Sequence, residues 1–354
     1  MSMSLDKEFI NRISGSLDRF SWEQNYVAHF RCPLCGDSQT SQVKRRGYFY
    51  PDSKENCLRF KCHNCNQKSG WGFQVWLRDF NPVVYREYMV EKFKEIGRGG
   101  EDHEADARLI APKASTTARI LSTTRDKKLP EALLRHCVTI GSLPRTHFAR
   151  MYVESRLLPS WTHELLCFAE CYSDLVKGIG AADEDTETKL PEDARLIIPL
   201  LSETNQLLGV QGRALGRHML RYATAKLNEN YPKTFGLERI NRKKPVLVVE
   251  GPIDSLFLPN CVATADSNLL KFAGGDIYIP DNQYRNFEIC KMVYKIIDSG
   301  NRVCLFPREV EGFKDINDMI KDGGMTQGQL LSLIASNTYR GAKAKLIFSK
   351  LRGV

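Results

Sequence analysis

The stretch VLVVEGPIDSLF, residues 246–257, decides the fold. Four apolar residues follow one another without polar alternation, the pattern of a strand covered on both faces. The run stops at Glu250-Gly251-Pro252, and packing alone gives no reason for a carboxylate at the C-terminal end of a buried strand. In an open parallel sheet, ligands gather at that edge, so Glu250 should stand in the crevice where chemistry is done. Gly251 and Pro252 shape the turn. Asp254 falls in the first turn of the following helix, where a negative charge also suits the macrodipole, and it counts among the substrate-side candidates.

Downstream, DIYIP (276–280) reads as a second strand ending at Asp281, and RVCLF (302–306) as a third that leads to KDINDM (314–319), with Asp315 and Asp318. Helix-length segments separate these strands, which points to parallel α/β packing. Carboxylates converging from separate strand ends are what a hard divalent cation such as magnesium requires, because it takes oxygen ligands and retains water and substrate phosphates. Such a cluster suits phosphoryl or nucleotidyl transfer.

Upstream, ARLIIPLL (194–201) and LLGVQGRAL (207–215) read as strands inside a basic strip that runs to residue 244. A site that handles polyphosphates needs cations beside its metals. Arg195, Gln211, Arg213, Arg221 and Lys233 are the candidates for substrate and template, the arginines because a planar fork fits phosphate. Residues 130–190 read as mostly helical, and Cys167 and Cys171 within them as packing residues.

The N-terminal part carries a different signal. Cys32-Pro33-Leu34-Cys35 and Cys62-His63-Asn64-Cys65 are two Cys-x-x-Cys knuckles, which together supply the closed tetrahedral set of one structural zinc. The segment between them holds a hairpin turning at residues 51–56. Alternation in CLRFKC (57–62) points Cys62 one way and Cys57, Arg59 and Lys61 the other, so Cys57 faces away from the metal. The reading favours four cysteines over a set that includes His63. Arg59 and Lys61, with Tyr48 and Tyr50, form a candidate face for single-stranded nucleic acid, against the alternative of a merely solvated ribbon. Trp71 and Trp76 read as packing residues.

Composition agrees with this picture. A chain of 354 residues with 42% hydrophobic and 26% charged residues has room for two or three domains, and it holds no apolar run of membrane-spanning length. The start of the chain shows no signal-peptide core, so the expected location is the cytoplasm. There, eleven cysteines are thiols or metal ligands. A formal charge of +9 favours a polyanionic partner.

Taken together, VVEGPIDSLF, IYIPDN and KDINDM resemble, in order and spacing, the acidic motifs of the Toprim domain shared by DnaG-like primases and type IA and II topoisomerases. FRCPLCGDS, CHNCN, VVYREYM, RLIIPL, QGRAL, EGPIDSLF and DINDMI extend the likeness, and over nearly the whole chain the sequence resembles the DNA primases of T-even bacteriophages. The resemblance implies an α/β Toprim core with a parallel sheet, a small N-terminal β zinc ribbon and a mixed α+β basic subdomain. It implies residues 1–96 as the zinc-binding domain, 97–118 as a linker and 119–354 as an RNA polymerase domain. The last divides into a basic part (119–244), Toprim (245–322) and a helical tail (323–354).

By the same resemblance Glu250, Asp281 and Asp315 are catalytic and hold magnesium, in a number the sequence does not fix. The family usually places a second acid two residues after the first, whereas this chain reads Asp281-Asn282-Gln283. Gln283 could offer only a neutral carbonyl oxygen. The implied partners are single-stranded DNA, ribonucleoside triphosphates and a separate replicative helicase, since the chain has no P-loop. A single-stranded-DNA-binding protein is a further candidate, with host cytoplasm as the location for a phage protein. Two rivals share parts of this pattern. A RecR-type recombination mediator combines four cysteines with a Toprim fold but is much shorter and lacks the QGRAL-to-FGLERI region. A Toprim nuclease gains nothing obvious from the ribbon.

Overall fold

A computed structural model describes residues 2–38, 40–53, 56–65, 70–98, 128–181, 190–216 and 219–352. The chain divides into two compact units, one drawn from Met1–Glu101 and Gly323–Met325, the other from Asp102–Asp322 and Thr326–Val354. Of the expected linker, positions 99–118 lie outside the described residues.

The first unit is built on four antiparallel strands, β1 (Ser21–Gln24), β2 (Val27–Phe30), β3 (Gly47–Asp52) and β4 (Cys57–Cys62), in that spatial order. The β3–β4 hairpin pairs from Gly47↔Cys62 to Asp52↔Cys57, the turn expected at 51–56. Period-two alternation sends Phe30, Phe49 and Phe60 to one face. They meet Trp76 of the helix Phe73–Phe80 at centroid distances of 6.1, 4.9 and 5.6 Å. Trp76 is a packing residue as expected, but Trp71 is 42% exposed. Helix Ser2–Ile13 is fixed to this core by buried Asp6, whose carboxylate accepts from the Leu58 N–H at 2.7 Å and the Tyr88 hydroxyl at 2.6 Å.

In the second unit a sheet of five antiparallel strands comes first: β5 (Val138–Thr139), β6 (Cys167–Ala169), β7 (Arg195–Leu201), β8 (Leu207–Ala214) and β9 (Tyr222–Lys226). Among the described residues of 130–190 the regular structure is mostly helical, as expected, with helices Glu131–Leu134, Phe148–Ser155 and Tyr172–Gly178 beside the short strands β5 and β6. β6 pairs onto the edge of β7 and β5 onto β6, and strands of two and three residues are too short to show a period. Cys167 is buried in this sheet's core, whereas Cys171 is only half-buried, with its thiol 3.2 Å from the Ser173 hydroxyl.

The second sheet runs β11 (Cys261–Ala263), β10 (Leu247–Val249), β12 (Ile277–Ile279), β13 (Arg302–Cys304), β14 (Thr338–Tyr339). The first four strands are parallel and β14 is antiparallel. Val249 is level with both Ala263 and Ile279, so the C-terminal ends of three strands finish together. The chain passes from β10 to β11 on one side and then crosses to β12 on the other. That reversal opens a crevice at the end of β10, which is where Glu250 follows. Behind the sheet, Val293, Ile296 and Phe348 join Val248 and Tyr278 in one core. Phe348 belongs to the tail helix Gly341–Arg352, so the apolar face of the tail packs on this domain. The preceding helix, Gln327–Ser336, opens with a Thr326–Gln329 capping box.

Candidate active site

The four cysteine sulfurs of Cys32, Cys35, Cys62 and Cys65 all lie within 4.8 Å of one another. The cross-knuckle separations are 4.0 Å for Cys32–Cys65 and 3.9 Å for Cys35–Cys62. A tetrahedron with zinc–sulfur bonds of about 2.3 Å has edges of roughly 3.8 Å, so the set fits one structural zinc. Asn64 supports it from outside, its backbone N–H donating to Cys62 Sγ at 3.3 Å and its amide to Cys35 Sγ at 3.6 Å. Cys57 stands apart, its thiol pushed up to about 11 by burial first and then by the charge of Asp6. The His63 ring stacks on Tyr48 at 4.9 Å instead of joining the sulfurs.

The ribbon face differs from its expected form. Arg59 pairs with Asp52 at 2.6 Å and donates to the Gly70 carbonyl at 2.5 Å, so its guanidinium is occupied within the domain. Tyr48 stacks with His29 at 5.3 Å and with His63 at 4.9 Å. Period-two alternation correctly turned these residues outward but could not show that neighbouring side chains would use them up.

The second unit brings the acidic and basic candidates into one cavity of about 210 Å³. Glu250 and Asp254 enter from the end of β10, Asp281 from the end of β12 and Asp315 from the loop after β13. Opposite them stand Arg213 of β8, Arg221 beside β9 and Lys233. The strand-like bridge between Phe235 and Ala263, with N–H···O bonds of 2.8 and 2.9 Å, ties the Lys233 segment to the free edge of β11.

Burial and mutual repulsion dominate the acids. Burial pushes Glu250 upward, Lys314 opposes the shift, and Asp266 adds to it. Asp281 rises to about 7 through burial, then through the charges of Glu250 and Asp315. Asp254 is partly buried and held well above the carboxylate range by burial, then by Asp315 and Asp281, although it accepts the Asn317 N–H at 2.9 Å. One oxygen of Glu250, Oε2, is buried with no hydrogen-bond partner. Carboxylates that repel one another around an unpartnered oxygen are the donor set a hard divalent cation satisfies, so these residues fit magnesium. Among the described residues only the cysteine set brings three or more ligand atoms within 4.8 Å; the acids face a shared space at wider spacing.

A pH dependence follows from Asp281. Its folded-state value lies above its unfolded one, so folding is favoured most below about pH 4, where the group is protonated in both states. That contribution, on the order of a few kcal/mol, is lost as pH rises through about 7. Denaturant titrations in magnesium-free buffer between pH 5 and 8 should show the wild type losing stability relative to Asp281→Asn; parallel curves would disprove the coupling.

Two expected residues are not in the cavity lining. Arg195 is wholly buried: Nε pairs with Asp193 at 2.8 Å, and its two other nitrogens donate to the Gly212 and Leu220 carbonyls at 3.1 and 3.0 Å. It is a structural cation, not a phosphate contact. Gly212 makes room for it, since a Cβ there would lie 2.5 Å from Tyr172 and 2.9 Å from the Arg195 side chain. Gln283 is absent from the lining too. Its neighbour Asn282 turns inward to hold the Val310 and Phe313 carbonyls at 2.8 and 3.0 Å, and the cavity takes its remaining acids from Asp254 and Asp266.

The lining also holds residues the sequence reading passed over: Arg156, Tyr222, Asp266, Lys314 and Asn317. Lys314 and Asn317 sit inside the quoted KDINDM, but alternate residues in a motif do not reveal which one faces substrate. Arg156 follows an ordinary helix, Phe148–Ser155, and nothing local marks it. Arg213, Tyr222 and Gln211 extend the basic wall. The Arg213 guanidinium lies 4.9 Å from the Tyr222 ring; burial first, then the charges of Arg156 and Arg221, bring its value down to about 10 against the opposing effect of Tyr152, and Gln211 keeps Oε1 buried and unpartnered.

A search of family models found no match. The chain is 32% identical over 354 residues to the DNA primase of Enterobacteria phage T4, covering 98% of this chain and 97% of that protein. Among solved structures, the Aquifex aeolicus primase with its zinc-binding and RNA polymerase domains shares 19% identity, with coverage of 96% and 87% and a TM-score of 0.43. The RNA polymerase domain of Mycobacterium tuberculosis primase shares 15%, with coverage of 62% and 84% and a TM-score of 0.43.

Proposed function

The chain belongs to the DNA primase family, and we propose that it copies single-stranded DNA into short RNA primers by magnesium-dependent nucleotidyl transfer in this cavity. The observation that carries the reading is the convergence of Glu250, Asp281 and Asp315 with Arg213, Arg221 and Lys233 on one space. A polymerase needs both signs of charge there, since the polyphosphate must be bound while its α-phosphate is attacked.

The roles follow from position. Arg156, Arg213, Arg221 and Lys233 bind the triphosphate and template phosphates. Glu250, Asp281 and Asp315 would hold magnesium, which when bound neutralises triphosphate charge and acidifies the attacking hydroxyl. Glu250 Oε2, buried with no hydrogen-bond partner, accepts the proton of the primer 3' hydroxyl. The 3' oxygen then bonds to the α-phosphorus, the α–β phosphoanhydride bond breaks, and pyrophosphate leaves. The zinc ribbon grips template with Lys61, and a replicative helicase and a single-stranded-DNA-binding protein serve as partners in the host cytoplasm. Among the described residues no helix is long and apolar enough to cross a membrane.

Incorporation of labelled ribonucleotides on single-stranded DNA templates of varied sequence, with and without magnesium, tests the reading. Template-dependent oligoribonucleotides that need magnesium are expected. Binding of DNA without synthesis would favour the clamp alternative, and cleavage of the template the nuclease.

A further inference from the structure

Asn317 stands between Asp315 and Asp318 in the first turn of the helix Ile316–Lys321, and its side chain bonds to Arg156. Its Oδ1 accepts from an Arg156 guanidinium nitrogen at 2.7 Å, and its Nδ2 donates to the Arg156 carbonyl at 2.8 Å. Its backbone N–H donates to Asp254 Oδ1 at 2.9 Å, and the residue is 1% exposed. Only an amide can make both side-chain bonds at once, because an ionised carboxylate has no proton to give and an alkyl group offers neither donor nor acceptor. The bonds join residues 161 positions apart in the chain.

We propose that Asn317 is a positioning residue that clamps Arg156 against the acidic loop, so that a nucleotide-binding cation and the metal-binding carboxylates are held at a fixed separation. Three further observations support the clamp. Arg156 itself lines the cavity, as do Asp254 and Asn317. Its guanidinium also lies 5.4 Å from the Tyr152 ring, so ring and amide restrain it from two directions. The loop is fixed at its other points as well: Asp315 Oδ1 accepts the Asp318 N–H at 2.9 Å, and the Asn282 N–H donates to the Lys314 carbonyl at 2.8 Å. A rigid loop can transmit position to Arg156, whereas a mobile one could not.

The inference rests on the reading of the cavity as a triphosphate site, and a double-mutant cycle separates the two. Steady-state primer synthesis is measured for wild type, Asn317→Ala, Arg156→Ala and the double variant, with thermal melting of each. Arg156→Ala is expected to raise KM for the nucleotide by roughly 10- to 100-fold, the weight of a hydrogen bond to a charged group. Asn317→Ala should raise the same KM with a smaller change in kcat. The double variant should be no worse than Arg156→Ala within about twofold, since the clamp has nothing left to hold.

If Arg156→Ala leaves KM unchanged, the triphosphate reading of this wall is wrong. If Arg156→Ala behaves as expected but the two effects multiply, or Asn317→Ala lowers only the melting temperature, the clamp is wrong. Should the alanine variant fail to fold, Asn317→Ser, which keeps a polar group but cannot span both bonds, replaces it in the same cycle with the same criteria.

Discussion

Primer synthesis by the Glu250→Gln variant is expected to fall by at least about 10³-fold, the range spanned by loss of a general base together with a metal-binding charge. The two side chains have nearly the same volume, so the turn at Gly251-Pro252 should survive. Stability should move in the opposite direction to activity. Burial raises the Glu250 value, and Asp266 adds repulsion, so at pH 8 the folded protein bears the cost of an ionised, poorly solvated carboxylate. A neutral amide removes that cost. In magnesium-free buffer the variant should therefore melt at a higher temperature than the wild type, a trade of stability against function typical of active sites. Single-turnover incorporation from a preformed primer end measures the first effect and thermal denaturation the second. Near wild-type incorporation would remove Glu250 from the reaction; lost activity with a lowered melting temperature would point to a folding defect.

The second large effect concerns the ribbon. Cys62→Ser should drop bound zinc from one per chain to a substoichiometric level, because a hydroxyl is a poor replacement for thiolate and three sulfurs cannot close the tetrahedron. Structural zinc in small domains supplies apparent binding energies of about 10–16 kcal/mol, much of which is folding energy. The effect should spread beyond the metal: Cys62 ends β4 and pairs with Gly47, in the sheet whose Phe60 packs on Trp76. Tryptophan fluorescence should therefore shift red together with zinc loss, and initiation on single-stranded template should fall by roughly two orders of magnitude if the ribbon supplies most of the template affinity. Cys57→Ser is the control. Zinc content that drops for Cys57→Ser but not for Cys62→Ser would overturn the ligand set.

Much of the site was legible in the sequence because its residues sit where regular structure forces them to be. A carboxylate immediately after a buried parallel strand must emerge at the sheet's C-terminal edge, which locates Glu250 and, by the same rule, Asp281. Two Cys-x-x-Cys knuckles joined by a hairpin can hardly avoid presenting their sulfurs to one point. The capping box at Thr326 is a local pattern whose parts are three residues apart. Local rules failed where partners come from afar. Arg195 has the composition of a phosphate ligand, but Asp193, Gly212 and Leu220 had already taken its donors, and Arg59 is held in the same way by Asp52 and Gly70.

The sequence by itself determined the parallel strands, the edge at which the acids emerge and the ligands of the zinc. These depend on periodicity and spacing along a few consecutive residues, and short-range geometry leaves little freedom. Tertiary structure alone decided which cations face those acids: it buried Arg195, left Gln283 out of the cavity lining and brought Arg156 to Asn317. Pairing between such distant residues depends on how whole sheets and loops meet, and a charged side chain carries no local mark of whether its partner will be a phosphate or the protein's own backbone.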